Sequence, residues 1–259
     1  MRRMLFALFA ALTLGSVQAG FAAPQPSPVY NWTGCYIGGQ FGGGFMHDSN
    51  VHDSDSSDSI FHGGGVIAGG QVGCNLQVVQ QLVIGFEGEG WWSGLSNPSG
   101  SNGTDVTSYP TYMETYQWNS SHLTRSSWDA TAAVRLGWAF DRVLLYGKAG
   151  VAFGGFTFSN TDNYSYVYTN GGGTEYYNSS QTGSATLPGI VLGVGLEWAF
   201  GGNWIGRVEG DYLNFARTGV PMTYSAACTP CSASVAGSAT TSGYASKELL
   251  KVGLSYKFY

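Results

Sequence analysis

The stretch Gly189-Ile190-Val191-Leu192-Gly193-Val194-Gly195-Leu196-Glu197-Trp198-Ala199-Phe200 alternates without a break. Ile190, Leu192, Val194, Leu196, Trp198 and Phe200 form one set, and Gly189, Val191, Gly193, Gly195, Glu197 and Ala199 the other. Successive side chains of a strand point to opposite faces, so this segment reads as a strand with one wholly apolar face and one small or charged face. Two further stretches repeat the pattern. Trp128, Ala130, Ala132, Val134, Leu136, Trp138 and Phe140 alternate with Asp129, Thr131, Ala133, Arg135, Gly137 and Ala139. Near the C-terminus, Leu250, Val252, Leu254, Tyr256 and Phe258 alternate with Lys251, Gly253, Ser255 and Lys257.

Working outward, eight period-2 runs emerge, at 33–46, 64–77, 82–92, 128–140, 143–156, 186–200, 204–215 and 247–258. Long segments rich in Ser, Thr, Asn, Gly and Tyr (47–63, 93–127, 157–185, 216–246) alternate with tight turns at 78–80, Asp141-Arg142 and Gly201-Gly202-Asn203. Long loops on one rim and short turns on the other are the layout of an outer-membrane barrel. The expected fold is therefore all-β: an eight-stranded antiparallel up-and-down transmembrane barrel with four long external loops and three short periplasmic turns.

A lipocalin shows the same alternation turned inside out, and three features separate the two. Trp32, Trp138, Phe140, Trp198, Phe200, Trp204, Phe258 and Tyr259 gather beside the short turns, as an interfacial girdle does. Only 10% of the 259 residues are charged, too few for a water-facing exterior but suited to a sealed polar lumen. Finally, Arg2-Arg3, an apolar run from Met4 to Leu14 and small residues up to Ala22 form a secretory signal, with cleavage after Ala19 or Ala22. The run is too short for a membrane-spanning helix. The expected organisation is a signal peptide over 1–22, a Pro-rich periplasmic linker over 23–31 and a barrel over 32–259 in a bacterial outer membrane.

Composition narrows the function. The 40 Gly lack a G-X-Y period, which excludes collagen, and the 15% aromatic content argues against a disordered chain. Without Arg2 and Arg3 there remain 9 basic against 16 acidic residues, so no basic stripe is left to bind nucleic acid. An eight-stranded barrel encloses just enough room for side chains. The Asp141-Arg142 turn sets Phe140 opposite Val143 and hence Arg135 opposite Lys148; a three-residue turn over 201–203 sets Phe200 opposite Trp204 and Glu197 opposite Arg207. Like charges facing each other need acids beside them. The expected lumen network is Glu87, Glu89, Arg135, Lys148, Glu197, Arg207, Glu209, Asp211 and Lys251, serving either as a plug or, less simply, as a gated path.

Four cysteines on an exported chain suggest disulfides Cys35–Cys74 and Cys228–Cys231, although Cys35 and Cys74 would also serve as small apolar fillers. Zinc at Cys228 and Cys231 lacks a second ligand pair, and neither a metal nor a cofactor is expected. His47, His52, His62 and His122 fall in or beside the first two external loops, with Asp48, Asp53, Asp55 and Asp58. A hydrolase could pair such groups; a solvated acidic loop is the simpler reading, and no enzyme is expected. Asp53-Ser54-Asp55 lacks the Gly and distal Glu of a calcium loop.

The segment Asn31-Trp32-Thr33-Gly34-Cys35-Tyr36-Ile37-Gly38-Gly39 resembles the first strand of the small porin-like, "outer membrane immunogenic protein" barrels of rhizobia and brucellae. Similar motifs follow in order at Gly70–Asn75, Val134–Asp141, Gly193–Phe200 and Lys251–Phe258. The resemblance implies a surface-exposed barrel with envelope-stability, antigenic or host-interaction roles rather than enzymatic ones. It also implies contact with outer-membrane lipid and lipopolysaccharide, and insertion through machinery that reads a C-terminal aromatic, Phe258 or Tyr259. External ligands would meet the long loops. A small-solute channel is the alternative.

Overall fold

The computed structural model describes residues 30–48, 63–169, 173–231 and 233–258. They form β1 (Gly34–Asp48), β2 (Gly64–Gln77), β3 (Leu82–Ser93), β4 (Ser96–Ser108), β5 (Met113–Phe140), β6 (Val143–Tyr168), β7 (Gly173–Gly201), β8 (Trp204–Thr229) and β9 (Ser234–Phe258). All belong to one antiparallel sheet in the order β1-β9-β8-β7-β6-β5-β3-β2-β4, with β1 also bonded to β2 and β4 to β5. The expected signal peptide, most of the expected linker, His52, His62, Asp53, Asp55, Asp58 and Tyr259 lie outside the described residues.

The expectation of eight strands is corrected: the sheet has nine, and it does not close evenly. Leu95 is buried and Gly94 and Leu95 leave the ladder, the Gly94 amide donating to the Val66 carbonyl and the Leu95 carbonyl accepting from Ser126. The chain then resumes as β4, which continues along β5 where β3 stops. Its other edge meets β2 at the single pair Gly64↔Ser96, whereas β3 pairs β2 from Ile67↔Ser93 to Gln77↔Val83. The ring is thus well paired near the short turns and open along β4. The long loops also need correcting. Residues 96–108, 113–125, 157–168, 173–185, 218–229 and 234–244 are strand. Apart from Thr124, Phe158, Val220, Met222, Cys228 and Gly243, their residues are half-buried or exposed, so they carry no sustained apolar alternation for a sequence reading to detect. Thr, Tyr and Val, which fit a pleated surface, sustain them instead.

At the short-turn end, Asp141 takes a positive φ in the two-residue turn, and Gly202 does the same in the next. That is the backbone twist a tight hairpin requires. Phe140 pairs with Val143 and Arg135 with Lys148. In the next hairpin Glu197 pairs with Arg207, but Gly201, not Phe200, pairs with Trp204, because the ladder shifts between Ala199 and Gly201. The apolar set of each strand points outward: Val194 is 67% exposed, and Ile190, Leu192, Leu136, Val134 and Leu250 are likewise exposed. That exterior is impossible to leave in water over so large an area and is natural in lipid.

Candidate functional site

The interior is where the chemistry collects, and it is layered. Next to the short turns, Trp32, Val83, Ala139, Leu144, Tyr146, Ala199 and Ile205 pack into an apolar floor, with Tyr30 against them. Trp32 is a correction to the girdle reading. It is 0% exposed, its indole N–H donates to the Asp141 carbonyl at 2.9 Å, and its backbone amide donates to Gln77 at 2.8 Å. The chain entering β1 therefore folds under the barrel mouth and closes it. Trp138, Phe140, Trp198, Phe200, Trp204 and Phe258 are exposed on the outside at this end.

Above the floor lies an ionic layer. Each strand facing inward places alternate residues there, so Glu87 and Glu89 come from β3, and Glu209 and Asp211 from β8, each pair two residues apart on one face. Arg207 Nη1 lies 2.5 Å from Glu87 and its Nη2 2.9 Å from Glu89. Arg135 lies 2.6 Å from Glu197 and 3.4 Å from Glu87. Lys148 reaches Glu89 at 2.6 Å, Glu209 at 2.8 Å and Asp211 at 3.1 Å. Lys251 reaches Glu209 and Asp211, both at 2.7 Å, and Glu89 at 3.0 Å. All nine of these side chains are buried. Arg135 and Lys148 sit side by side across the β5–β6 ladder, yet each is turned onto carboxylates, which removes the like-charge conflict. Glu87, Glu89 and Glu209 converge closely enough to hold a metal ion, but the ammonium and guanidinium groups of Lys148, Lys251 and Arg207 are the cations placed among them.

Several members escape a reading based on charge alone. The Tyr36 hydroxyl donates to Glu87 at 2.5 Å and accepts from Arg135; the Tyr146 hydroxyl donates to Glu209 at 2.5 Å, and the Arg135 guanidinium stacks 3.8 Å over its ring. Gln71 accepts from Arg207 and donates to Ser255 at 2.8 Å. The available signal was cross-strand: Tyr36 faces Gly73 and Tyr146 faces Gly195, each ring lying over a glycine that has no side chain to displace it. A Cβ on Gly195 would run into the Tyr146 ring and hydroxyl. Gly195→Ser is accordingly expected to cost about 1–3 kcal/mol, the usual range for overpacking, read as a lower urea midpoint of the folded barrel in lipid; Gly210→Ala, with only a carbonyl oxygen at 4.0 Å, serves as the mild control.

A second apolar layer seals the network from the far side: Met46, Ile67, Trp91, Leu95, Phe156, Leu213 and Phe215 are its main members. One further ion pair lies within it. Lys247 is fully buried, 2.5 Å from Asp129 and from the Ser126 hydroxyl, with its ammonium over the rings of Phe156 and Phe215. The rim residues pair elsewhere than with each other. Asp48 accepts from Asn97 at 2.5 Å and from the Thr124 hydroxyl, while His122 lies 3.1 Å from Asn160. Cys35–Cys74 bridges β1 and β2 across directly paired positions, and Cys228–Cys231 closes the tip between β8 and β9.

No helix among the described residues is long and apolar enough to cross a membrane. Among solved structures, the chain is similar to Ail, the attachment invasion locus protein of Yersinia pestis (9% identity, 86% of this chain and 99% of that one covered, TM-score 0.34). It is similar also to the outer membrane protease OmpT of Escherichia coli (10%, 90% and 99%, TM-score 0.33) and to the outer membrane protein OprG of Pseudomonas aeruginosa (8%, 88% and 97%, TM-score 0.39). No curated protein matches the chain. The family described as "Outer membrane protein beta-barrel domain" matches residues 7–258, nearly the whole length, and the protein belongs to that family.

Proposed function

We propose that this protein is a structural, surface-exposed barrel of the bacterial outer membrane whose lumen is filled by side chains, and that it supports envelope integrity and external contacts rather than catalysis or bulk transport. The observation that carries the reading is the ionic layer of five carboxylates and four cations locked between two apolar layers. Each charge has partners within about 3 Å, so opening a water path means breaking several buried pairs at once, a cost of several kcal/mol. Export by the N-terminal signal, insertion through the C-terminal strand, contact with lipopolysaccharide, and kinship with the rhizobial and brucella barrels belong to the same proposal. They rest on the sequence motifs.

Purified protein in planar bilayers is expected to show no stable conductance steps at neutral pH. Reproducible unitary conductance from the folded form would favour the small-solute channel instead, with the ionic layer as its filter.

A further inference from the structure

Beyond the lipid belt, β4 to β9 continue as a curved sheet, and its inner face carries an unusual set of groups. The register places Glu114 beside Tyr168, Tyr116 beside Tyr166, and Trp118 beside Tyr164. It continues from Tyr166 to Glu175 and from Tyr164 to Tyr177 on β7. The tyrosines share the parity of Phe156 and Phe158, which are buried in the lumen, so they line the mouth above it. Tyr116 and Trp118 stack at 5.5 Å and Tyr116 and Tyr166 lie 4.9 Å apart. Tyr166 and Tyr177 meet nearly at right angles, 87° at 5.8 Å. A cleft of about 490 Å³ opens here, lined by Tyr164, Tyr166, Tyr168, Tyr177, Glu175 and Val235.

The charge on this face is of one sign. Asp105, Glu114, Asp162 and Glu175 lie on it by register. Arg125 pairs with Thr157 on the opposite face, Arg217 sits at the β8 irregularity below, and Lys247 is buried against Asp129. The acids are felt by the phenols. Tyr177 is raised chiefly by its 2.9 Å hydrogen bond to Glu175; Tyr168 is raised by desolvation and then by Glu175 and Glu114, and Tyr164 by desolvation and then by Asp162.

We propose that this cleft is a binding site for a quaternary ammonium group, held between the perpendicular faces of Tyr166 and Tyr177 with Glu175 as its counter-ion. Aromatic faces attract cations through the ring quadrupole, most strongly when the cation is poorly hydrated. A primary ammonium needs three acceptors, and one oxygen of the cleft's only carboxylate already accepts from Tyr177. A trimethylammonium group has no donors to satisfy and suits apolar walls. A neutral sugar would prefer a flat stacking platform to a right-angled corner, and an anionic one would be repelled. The site goes beyond the sealed-lumen reading and does not depend on it, because a conducting barrel would carry the same cleft.

The test is isothermal titration of the full-length folded protein, in a polyoxyethylene detergent, with choline and with its neutral carbon isostere 3,3-dimethylbutan-1-ol. Choline is expected to bind saturably and at least about tenfold more tightly than the isostere. Tyr166→Leu is expected to lose about tenfold in affinity and Glu175→Gln several-fold, while Tyr176→Leu, on the opposite face, changes nothing. Heat-shifted migration in SDS confirms that each variant is folded. Choline over phosphocholine would identify a free solute, and the reverse a lipid headgroup; either supports the site. Equal binding of choline and isostere, absence of saturable choline binding, or saturable binding of maltohexaose in its place would overturn the proposal.

Discussion

Arg207→Ala is expected to destabilise the folded barrel by about 3–5 kcal/mol, the range for removing one partner of a buried ion pair. Arg207 joins both halves of the ionic layer: it holds Glu87 at 2.5 Å and Glu89 at 2.9 Å, and also bonds Gln71. Without it Glu87 keeps Arg135 at 3.4 Å and a distant Lys148 at 3.8 Å, so a buried carboxylate loses its closest cation. Arg135→Ala should act through Glu197 instead, whose next cation, Arg207, stands 3.9 Å away. Arg207→Lys restores charge but offers one point charge in place of a fork, and is expected to recover only part of the loss. Urea-unfolding midpoints in lipid vesicles measure these differences. A midpoint for Arg207→Ala equal to that of the parent protein would mean that the layer contributes nothing to stability.

Val194→Arg is expected to cost about 2–4 kcal/mol, because a charge near the middle of a lipid-facing strand must leave water for hydrocarbon. Val194 is 67% exposed, lies within the outward apolar run Ile190–Phe200 and is flanked by glycines, Gly147 and Gly210, on the neighbouring strands. The same change on a soluble exterior would cost almost nothing. Val194→Leu keeps the face apolar and is expected to be neutral within about 0.5 kcal/mol.

These two positions also show what a linear reading can and cannot reach. The orientation of β7 was legible because lipid imposes a strict rule on one face and the narrow lumen another, so two independent constraints coincide residue by residue from Ile190 to Phe200. The pairing of Glu197 with Arg207 was legible from the turn length, although the shift at Phe200 was not, since a one-residue irregularity leaves no mark in composition. Strand length was illegible above the membrane: Asn119, Asn163 and Asn178 lie side by side in the ladder, yet a row of amides looks like loop. The break at Gly94-Leu95 that makes the ninth strand was hidden for the same reason. Trp32 was ambiguous because a tryptophan at a strand's start suits an interface and a plug equally. Only its bonds to Gln77 and Asp141 decide the matter. Lys247 and Asp129 were readable in principle, being four residues before Lys251 and two before Thr131 on inward-facing positions, but the β5 irregularity between Ser126 and Trp128, which brings Ser126 to the same inner face, was not.

Everything rests on the apolar face touching hydrocarbon while the charged face is sealed within. The most direct check is a nitroxide attached at Val194→Cys in the otherwise disulfide-bonded protein, reconstituted in bilayers, with its collision rates measured against oxygen and against a water-soluble nickel chelate. Oxygen, which partitions into lipid, should dominate at this site. Collision chiefly with the nickel chelate would place Val194 in water and turn the sheet the other way round.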